Sequence, residues 1–204
     1  MSCLSWNCHS LGHPRTVQVL VELAKHHNPS FIFLMETLCN REKLDQLKIQ
    51  LGYIGLFVVE RVGRSSGLAL FWKPNYKVQL LKFGKTFIDV SVANTEGKQW
   101  RVTGFYGFPE SSRRRESWNL MRSLASSSSS PWVCIGDFND LLHSREKLGK
   151  HVHPNWKLHG FQEAVADSGL FDLGMSGYQF TWEHSWGSED WVEERIDRAL
   201  ASNS

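Results

Sequence analysis

Cysteine is scarce in this sequence. The four present, Cys3, Cys8, Cys39 and Cys134, form no Cys-x-x-Cys pair. That spacing excludes a zinc cluster and offers no disulfide framework, so free thiols in a reducing compartment are expected. Long apolar runs are also missing. Phe31–Met35 is five residues long, far short of the roughly 20 that a membrane-spanning helix needs. Residues 1–12 are polar and mixed, unlike a secretory signal, so a soluble intracellular protein with no membrane partner is expected. Neither sign of charge dominates, with 23 Lys and Arg against 21 Asp and Glu, and charge alone therefore argues for no nucleic-acid partner. No internal repeat or change in composition marks a boundary, so residues 1–204 are expected to form one domain.

Apolar residues make up 41% of the chain, which places it among globular rather than disordered sequences. Nine tryptophans can fill a core or serve as stacking surfaces for bases. Cys3–Trp6 reads as a short strand. Pro14 opens a helix whose Val17, Leu20, Val21 and Ala24 share a face, and Asn28-Pro29 stops it. Phe31–Met35 reads as a strand buried on both faces. Asn40 caps a second helix that Gly52 closes. The runs Leu56–Val59, Leu68–Trp72, Val78–Leu81, Phe87–Val92 and Trp100–Tyr106 read as an antiparallel meander, with Phe87–Val92 alternating as a half-exposed strand. Ser111-Ser112 is expected to cap a third helix, and Ser126–Ser130 to form a surface loop. Trp132–Ile135 is a further buried strand, residues 156–168 suit a fourth helix, and Phe180–Trp182 and Ile196–Ala201 read as late strands. This order predicts an α+β fold with two packed sheets and helices on the outside.

Several strand ends carry oxygen-donor side chains. Asn7 follows the first strand, Glu36 the second, and Asp137 and Asn139 a later one, while Asp197 lies in the last. Clustered carboxylates and carboxamides suit Mg²⁺ or Mn²⁺, which can clamp a phosphate oxygen. Taken singly, each position is equally a turn residue or cap.

In order and spacing, Leu4-Ser5-Trp6-Asn7, Phe33-Leu34-Met35-Glu36-Thr37, Gly104-Phe105-Tyr106, Ile135-Gly136-Asp137-Phe138-Asn139 and Glu194-Arg195-Ile196-Asp197 resemble the endonuclease/exonuclease/phosphatase superfamily. With Gly67–Trp72, they are most similar to the apurinic-site-type endonuclease domain of plant non-LTR (LINE-type) retrotransposons. The resemblance implies two packed mixed β-sheets in a four-layer α/β/β/α sandwich, with the last strand or strands missing. It implies Mg²⁺ or Mn²⁺ as cofactor, DNA as partner, a nuclear location and a reverse transcriptase fused in the full element. Glu36 would be the principal metal ligand, with Asn7 beside it as ligand or phosphate contact. Tyr106 would contact the scissile phosphate, its other reading being a core tyrosine. Asp137 would position or deprotonate the attacking water or protonate the leaving group. Asn139 would hold the phosphate and orient a catalytic histidine that Asp197 supports. Trp182, in the aromatic and acidic stretch to Trp191, lies where these relatives carry a DNA-probing hairpin, so it is a candidate base-stacking residue; a packed surface loop is the competing reading.

The chain departs from this pattern in three places. It stops at Ser204, before the family's Ser-Asp-His segment, and none of its nine histidines stands where that segment's would. His9 occupies a position where the apurinic-site enzymes often have an acid, and Ser66 a position where glycine is usual. Three functions follow: a metal-dependent DNA endonuclease impaired by truncation, an inactive remnant that binds nucleic acid, and a phosphatase acting on a phosphoinositide or other small phosphoester. Fold alone does not separate them.

Overall fold

The computed structural model describes residues 1–60, 67–150 and 152–203; Ser66 lies outside them. The chain divides into two compact units, Met1–Phe105 and Tyr106–Ser204.

Five consecutive apolar residues make β2 (Phe31–Met35) the buried centre of the first unit. Its neighbours are β1 (Cys3–Asn7), α1 (Pro14–His27), α2 (Arg41–Leu51), β3 (Gly55–Val59) and β4 (Leu68–Trp72). β1 runs parallel to β2, and β4 and β3 follow antiparallel, giving a mixed sheet of order β1-β2-β4-β3. Pro14 begins α1 as expected, and Asn28 ends it in a left-handed conformation, φ 46°. The Asn40 side chain accepts a hydrogen bond from the Lys43 amide at 3.1 Å, and Gly52 closes α2. Leu20, Ala24, Leu44 and Leu47 of these helices pack with Ile32, Leu34, Ala69 and Phe71 of the sheet.

The remaining strands of this unit, β5 (Tyr76–Gly84), β6 (Phe87–Asn94) and β7 (Gln99–Tyr106), form an antiparallel ladder. A Cβ at Gly104 would lie 2.3 Å from the Phe33 ring, so glycine there lets β7 press against the other sheet. The expected α+β class, with packed sheets flanked by helices, is what the structure has.

Two expectations are corrected here. The meander contains only β5–β7, because β3 and β4 pair into the first sheet. Nor is β6 half-exposed, since both faces of its first half are buried. Asp89, read as an outward residue, is 1% exposed and accepts bonds from Arg101 Nε at 2.8 Å, Arg101 Nη2 at 2.9 Å and Thr103 Oγ1 at 2.7 Å. A paired and fully hydrogen-bonded charge mimics an exposed one in the sequence pattern.

The second unit holds α3 (Arg114–Ala125), β8 (Trp132–Asp137), β9 (Lys147–Gly149), α4 (Asn155–Asp167), β10 (Leu170–Asp172), β11 (Trp182–His184), β12 (Val192–Glu194) and β13 (Asp197–Ser202). Ser111-Ser112 do not cap α3. They lie in a single 3-10 turn, Ser111–Arg113, and α3 starts beyond it without a side-chain cap. β8, β13 and β10 pair antiparallel, while β11, β12 and β9 form a small antiparallel sheet. Of these, β9, β10 and β12 are three-residue strands too short to read from periodicity. The late strands also begin further on than expected, at Trp182 and Asp197. Phe161 of α4 packs on Phe138, ring centroids 5.7 Å apart, and so covers the turn after β8. Among the described residues, no helix is long and apolar enough to cross a membrane.

A buried ionic lattice fixes the chain after that turn. Arg198 is fully buried and donates to Glu146 Oε2 at 3.0 Å, Asp172 Oδ2 at 2.8 Å and the Asp140 carbonyl at 3.1 Å. Glu146 also accepts from the Leu142 amide at 2.7 Å and the His143 amide at 3.2 Å. Burial opposes ionisation of Glu146, but the bond and charge of Arg198, with the two amides, outweigh it and hold the carboxyl below its ordinary value. Asp172 is lowered in the same way: burial is outweighed by the Gly174 amide and the charges of Arg195 and Arg198.

Both carboxyls therefore stabilise the fold fully above the ordinary carboxylate range of about 4, and that contribution is lost as pH falls through their lowered values. Thermal unfolding followed by circular dichroism should show the melting temperature falling as pH drops below about 4, with a shallower fall in Glu146→Gln. At neutral pH that variant should be about 3 kcal/mol less stable, because Arg198 loses a buried charge partner. An unchanged pH profile would remove Glu146 from the acid response.

Candidate functional site

Parallel pairing of β1 with β2 sets Asn7 opposite Met35, so that Glu36 follows immediately at the same strand end. The two side chains meet: Asn7 Nδ2 donates to Glu36 Oε1 at 3.0 Å. The other carboxylate oxygen lies 3.1 Å from His9 Nδ1, an arrangement the sequence did not suggest. The loop after β1 stays bonded to the segment after β2, through Ser10 N to Glu36 O at 2.8 Å and Leu11 N to Thr37 O at 2.9 Å. Glu36 at φ 53° and His9 at φ 45° are both left-handed, which non-glycine residues adopt at a cost and which clusters at functional sites. Neighbouring Cys8 is no nucleophile. Burial pushes its thiol up to about 12, and it donates to the Met35 carbonyl at 3.1 Å.

Glu36 and Asn7 offer hard oxygen atoms. Among the described residues, no group of three or more His, Cys, Asp and Glu side chains assembles into a cage. This donor set fits Mg²⁺ or Mn²⁺, which takes one or two carboxylates and completes its shell with water and substrate oxygens. It does not fit a structural zinc site. An adjoining cavity of about 440 Å³ is lined by Trp6, Asn7, His9, His13, Arg15 and Thr16. It lies at the N-terminus of α1, where backbone amides and basic side chains favour an anion.

In the second unit, Asp137 ends β8 and is 2% exposed. Its Oδ1 accepts from the Asn139 amide at 2.8 Å, and its carbonyl accepts from the Gly107 amide at 2.8 Å. Asn139, left-handed at φ 54°, donates through Nδ2 to the Gly107 carbonyl at 2.9 Å. Gly107 thus clasps the turn from both sides, with buried Tyr106 immediately before it. Asp197 is registered opposite Asp137 across β13 and β8, and its amide donates to Thr181 Oγ1 at 3.0 Å. The structure therefore brings Asn7 to Glu36, and Asp137 to Asn139, with Asp197 across from Asp137. Trp182 stands apart on β11, stacked on His184 with centroids 5.7 Å apart.

Sequence reasoning missed three supporting residues besides His9. Gly107 gives no signal beyond being a glycine after a strand. Asp140, 1% exposed, accepts from Trp118 Nε1 at 2.8 Å and ties the turn to α3. Arg198 ends the run Arg195-Ile196-Asp197-Arg198 of the resemblance, but nothing local shows that its partners are Glu146 and Asp172.

The Endonuclease/Exonuclease/phosphatase family matches residues 4–204, and the chain belongs to it. Enzymes of this family generally depend on a divalent metal. Solved structures share the fold. The catalytic domain of Xenopus laevis APE2 is 18% identical, with a TM-score of 0.71 over 100% of this chain and 82% of that one. The endonuclease domain of TRAS1, a telomere-specific non-LTR retrotransposon, is 11% identical, with a TM-score of 0.66 over 98% and 84%. A mannosyl-6-phosphatase of Bacteroides thetaiotaomicron is 18% identical, with a TM-score of 0.65 over 100% and 86%. The fold is thus related to nucleases and phosphatases alike. No curated protein sequence matches the chain.

A Cβ at Gly107 would lie 2.2 Å from the Phe138 carbonyl oxygen, which is backbone and cannot swing away. Gly107→Ala should cost about 1–3 kcal/mol in urea unfolding. It should also slow any hydrolysis this chain performs by displacing Asn139. A variant as stable as wild type would show that the turn moves freely.

Proposed function

We propose that this chain is a divalent-metal-dependent phosphodiesterase acting on DNA, an endonuclease of the kind found in non-LTR (LINE-type) retrotransposons. The observation that carries this is the Asn7–Glu36 pair, two oxygen donors joined at the ends of parallel strands. Membership of a nuclease and phosphatase family supports it. So does the likeness to a structure described as a retrotransposon endonuclease. The same proposal takes the setting to be a plant element, with a nuclear site of action and a fused reverse transcriptase.

Glu36 would hold the cation with Asn7 beside it, and the charge such an ion supplies would stabilise a phosphate oxygen during attack at phosphorus. Asp137 accepts a proton from the attacking water or positions it, and its bond to the Asn139 amide keeps its carboxylate aimed. Asn139 and Tyr106 contact the phosphate. Asp197, across from Asp137, orients its partner group, and Trp182 stacks on a base.

Supercoiled plasmid with Mg²⁺ or Mn²⁺ tests the reading. Nicking is expected, abolished by a chelator and reduced about 100-fold or more in Glu36→Ala and Asp137→Asn. Equal nicking by wild type and Glu36→Ala, or none by either, would count against catalysis. Faster turnover of a small phosphomonoester than of DNA would favour a phosphatase.

A further inference from the structure

The group beside Glu36 that sequence reasoning passed over is an imidazole. His9 Nδ1 lies 3.1 Å from Glu36 Oε2, and Asn7 Nδ2 lies 3.0 Å from Glu36 Oε1. Two donors at adjacent corners of an octahedron with bonds of about 2.1 Å stand about 3.0 Å apart. The His9–Glu36 Oε2 separation therefore matches neighbouring corners of one coordination sphere, while Asn7 faces the other carboxylate oxygen and its Oδ1 accepts from the His9 amide at 3.4 Å. His9 is 67% exposed at its side chain, so it is not held there by burial, and its backbone is left-handed at φ 45°.

We propose that His9 is a nitrogen ligand of the cation held by Glu36 and Asn7, giving this chain a site that prefers a first-row transition-metal ion to Mg²⁺. This rests on the proposed role of Glu36 and Asn7. Imidazole nitrogen binds transition ions well and Mg²⁺ poorly, and in any such site transition ions bind increasingly tightly from Mn²⁺ towards Cu²⁺. Replacing His9 by aspartate exchanges nitrogen for a hard oxygen and moves the preference back towards Mg²⁺.

Mn²⁺ alone serves as the probe, with binding measured by calorimetry and the ligand nitrogen detected by pulsed electron paramagnetic resonance. Wild type, His9→Ala, His9→Asp and Glu36→Ala are compared, each checked for folding by far-ultraviolet circular dichroism. In wild type, nitrogen coupling to the bound Mn²⁺ is expected, and it should vanish in His9→Ala and His9→Asp. Affinity for Mn²⁺ should fall about tenfold or more in His9→Ala, while affinity for Mg²⁺ changes much less. Other histidines, such as the His26–His27 pair, are controlled by Glu36→Ala, which should lose the coupling as well. Coupling that persists in His9→Ala but is lost in Glu36→Ala would overturn the role of His9 and leave the metal reading intact. Mn²⁺ binding unchanged in Glu36→Ala would overturn both.

Discussion

The candidate chemistry depends on one constraint, the parallel register of β1 and β2. Parallel neighbours bring two carboxyl-terminal strand ends to the same level, so Asn7 and Glu36, 29 positions apart in sequence, become side-by-side donors. The register is secured by β2, whose five residues are all buried, so that a one-residue slip would move its side chains to the wrong faces. That burial also sustains the left-handed conformations at Glu36 and His9, which cost of order 1–3 kcal/mol each. A strand buried on both faces is thus the support for a strained polar edge.

The second unit solves a similar problem with charge. Asp137 and Asn139 sit on a turn clasped by Gly107, and the chain beyond it would be free to drift. Arg198 prevents this by gathering the Asp140 carbonyl, Glu146 and Asp172 into one buried lattice, while Phe138 N bonds to the Ile196 carbonyl at 2.9 Å. Buried charges are costly unless each is paired and hydrogen-bonded. Their main effect here is positional, since a guanidinium satisfied in several directions tolerates few backbone arrangements.

Much of this was legible in the sequence. Long elements declared themselves through periodicity and caps: α1 begins at Pro14, α2 at the Asn40 cap, and β2 and β4 fall at Phe31–Met35 and Leu68–Trp72 as read. Illegible were the features that depend on partners far along the chain. Asp89 looked like a solvent-facing residue because its partners, Arg101 and Thr103, lie on another strand. β3 and β4 looked like part of one meander because strand pairing across the sequence leaves no local mark. Oxygen donors at strand ends could be picked out as candidates, but His9 could not, since nothing local tells a histidine facing Glu36 from one facing water.

The substrate is a separate matter from the oxygen donors. Oxygen donors such as Asn7 and Glu36 can serve any phosphoester, and the same fold occurs in an endonuclease domain and in a mannosyl-6-phosphatase. The second unit also exposes aromatic rings. On the three-stranded sheet, Trp186 is 72% exposed at the end of a hairpin and packs edge-on against Trp191, while Trp182 stacks on His184. Exposing indole rings to water forfeits burial energy that a small phosphoester could not return. A base stacked on an aromatic ring can return about 1–3 kcal/mol. Glu183, Glu189 and Asp190 on the same hairpin repel phosphates, so this surface suits bases rather than backbone. In the first unit, the basic side chains Arg15 and His13 line the cavity with Asn7, a setting that favours an anion.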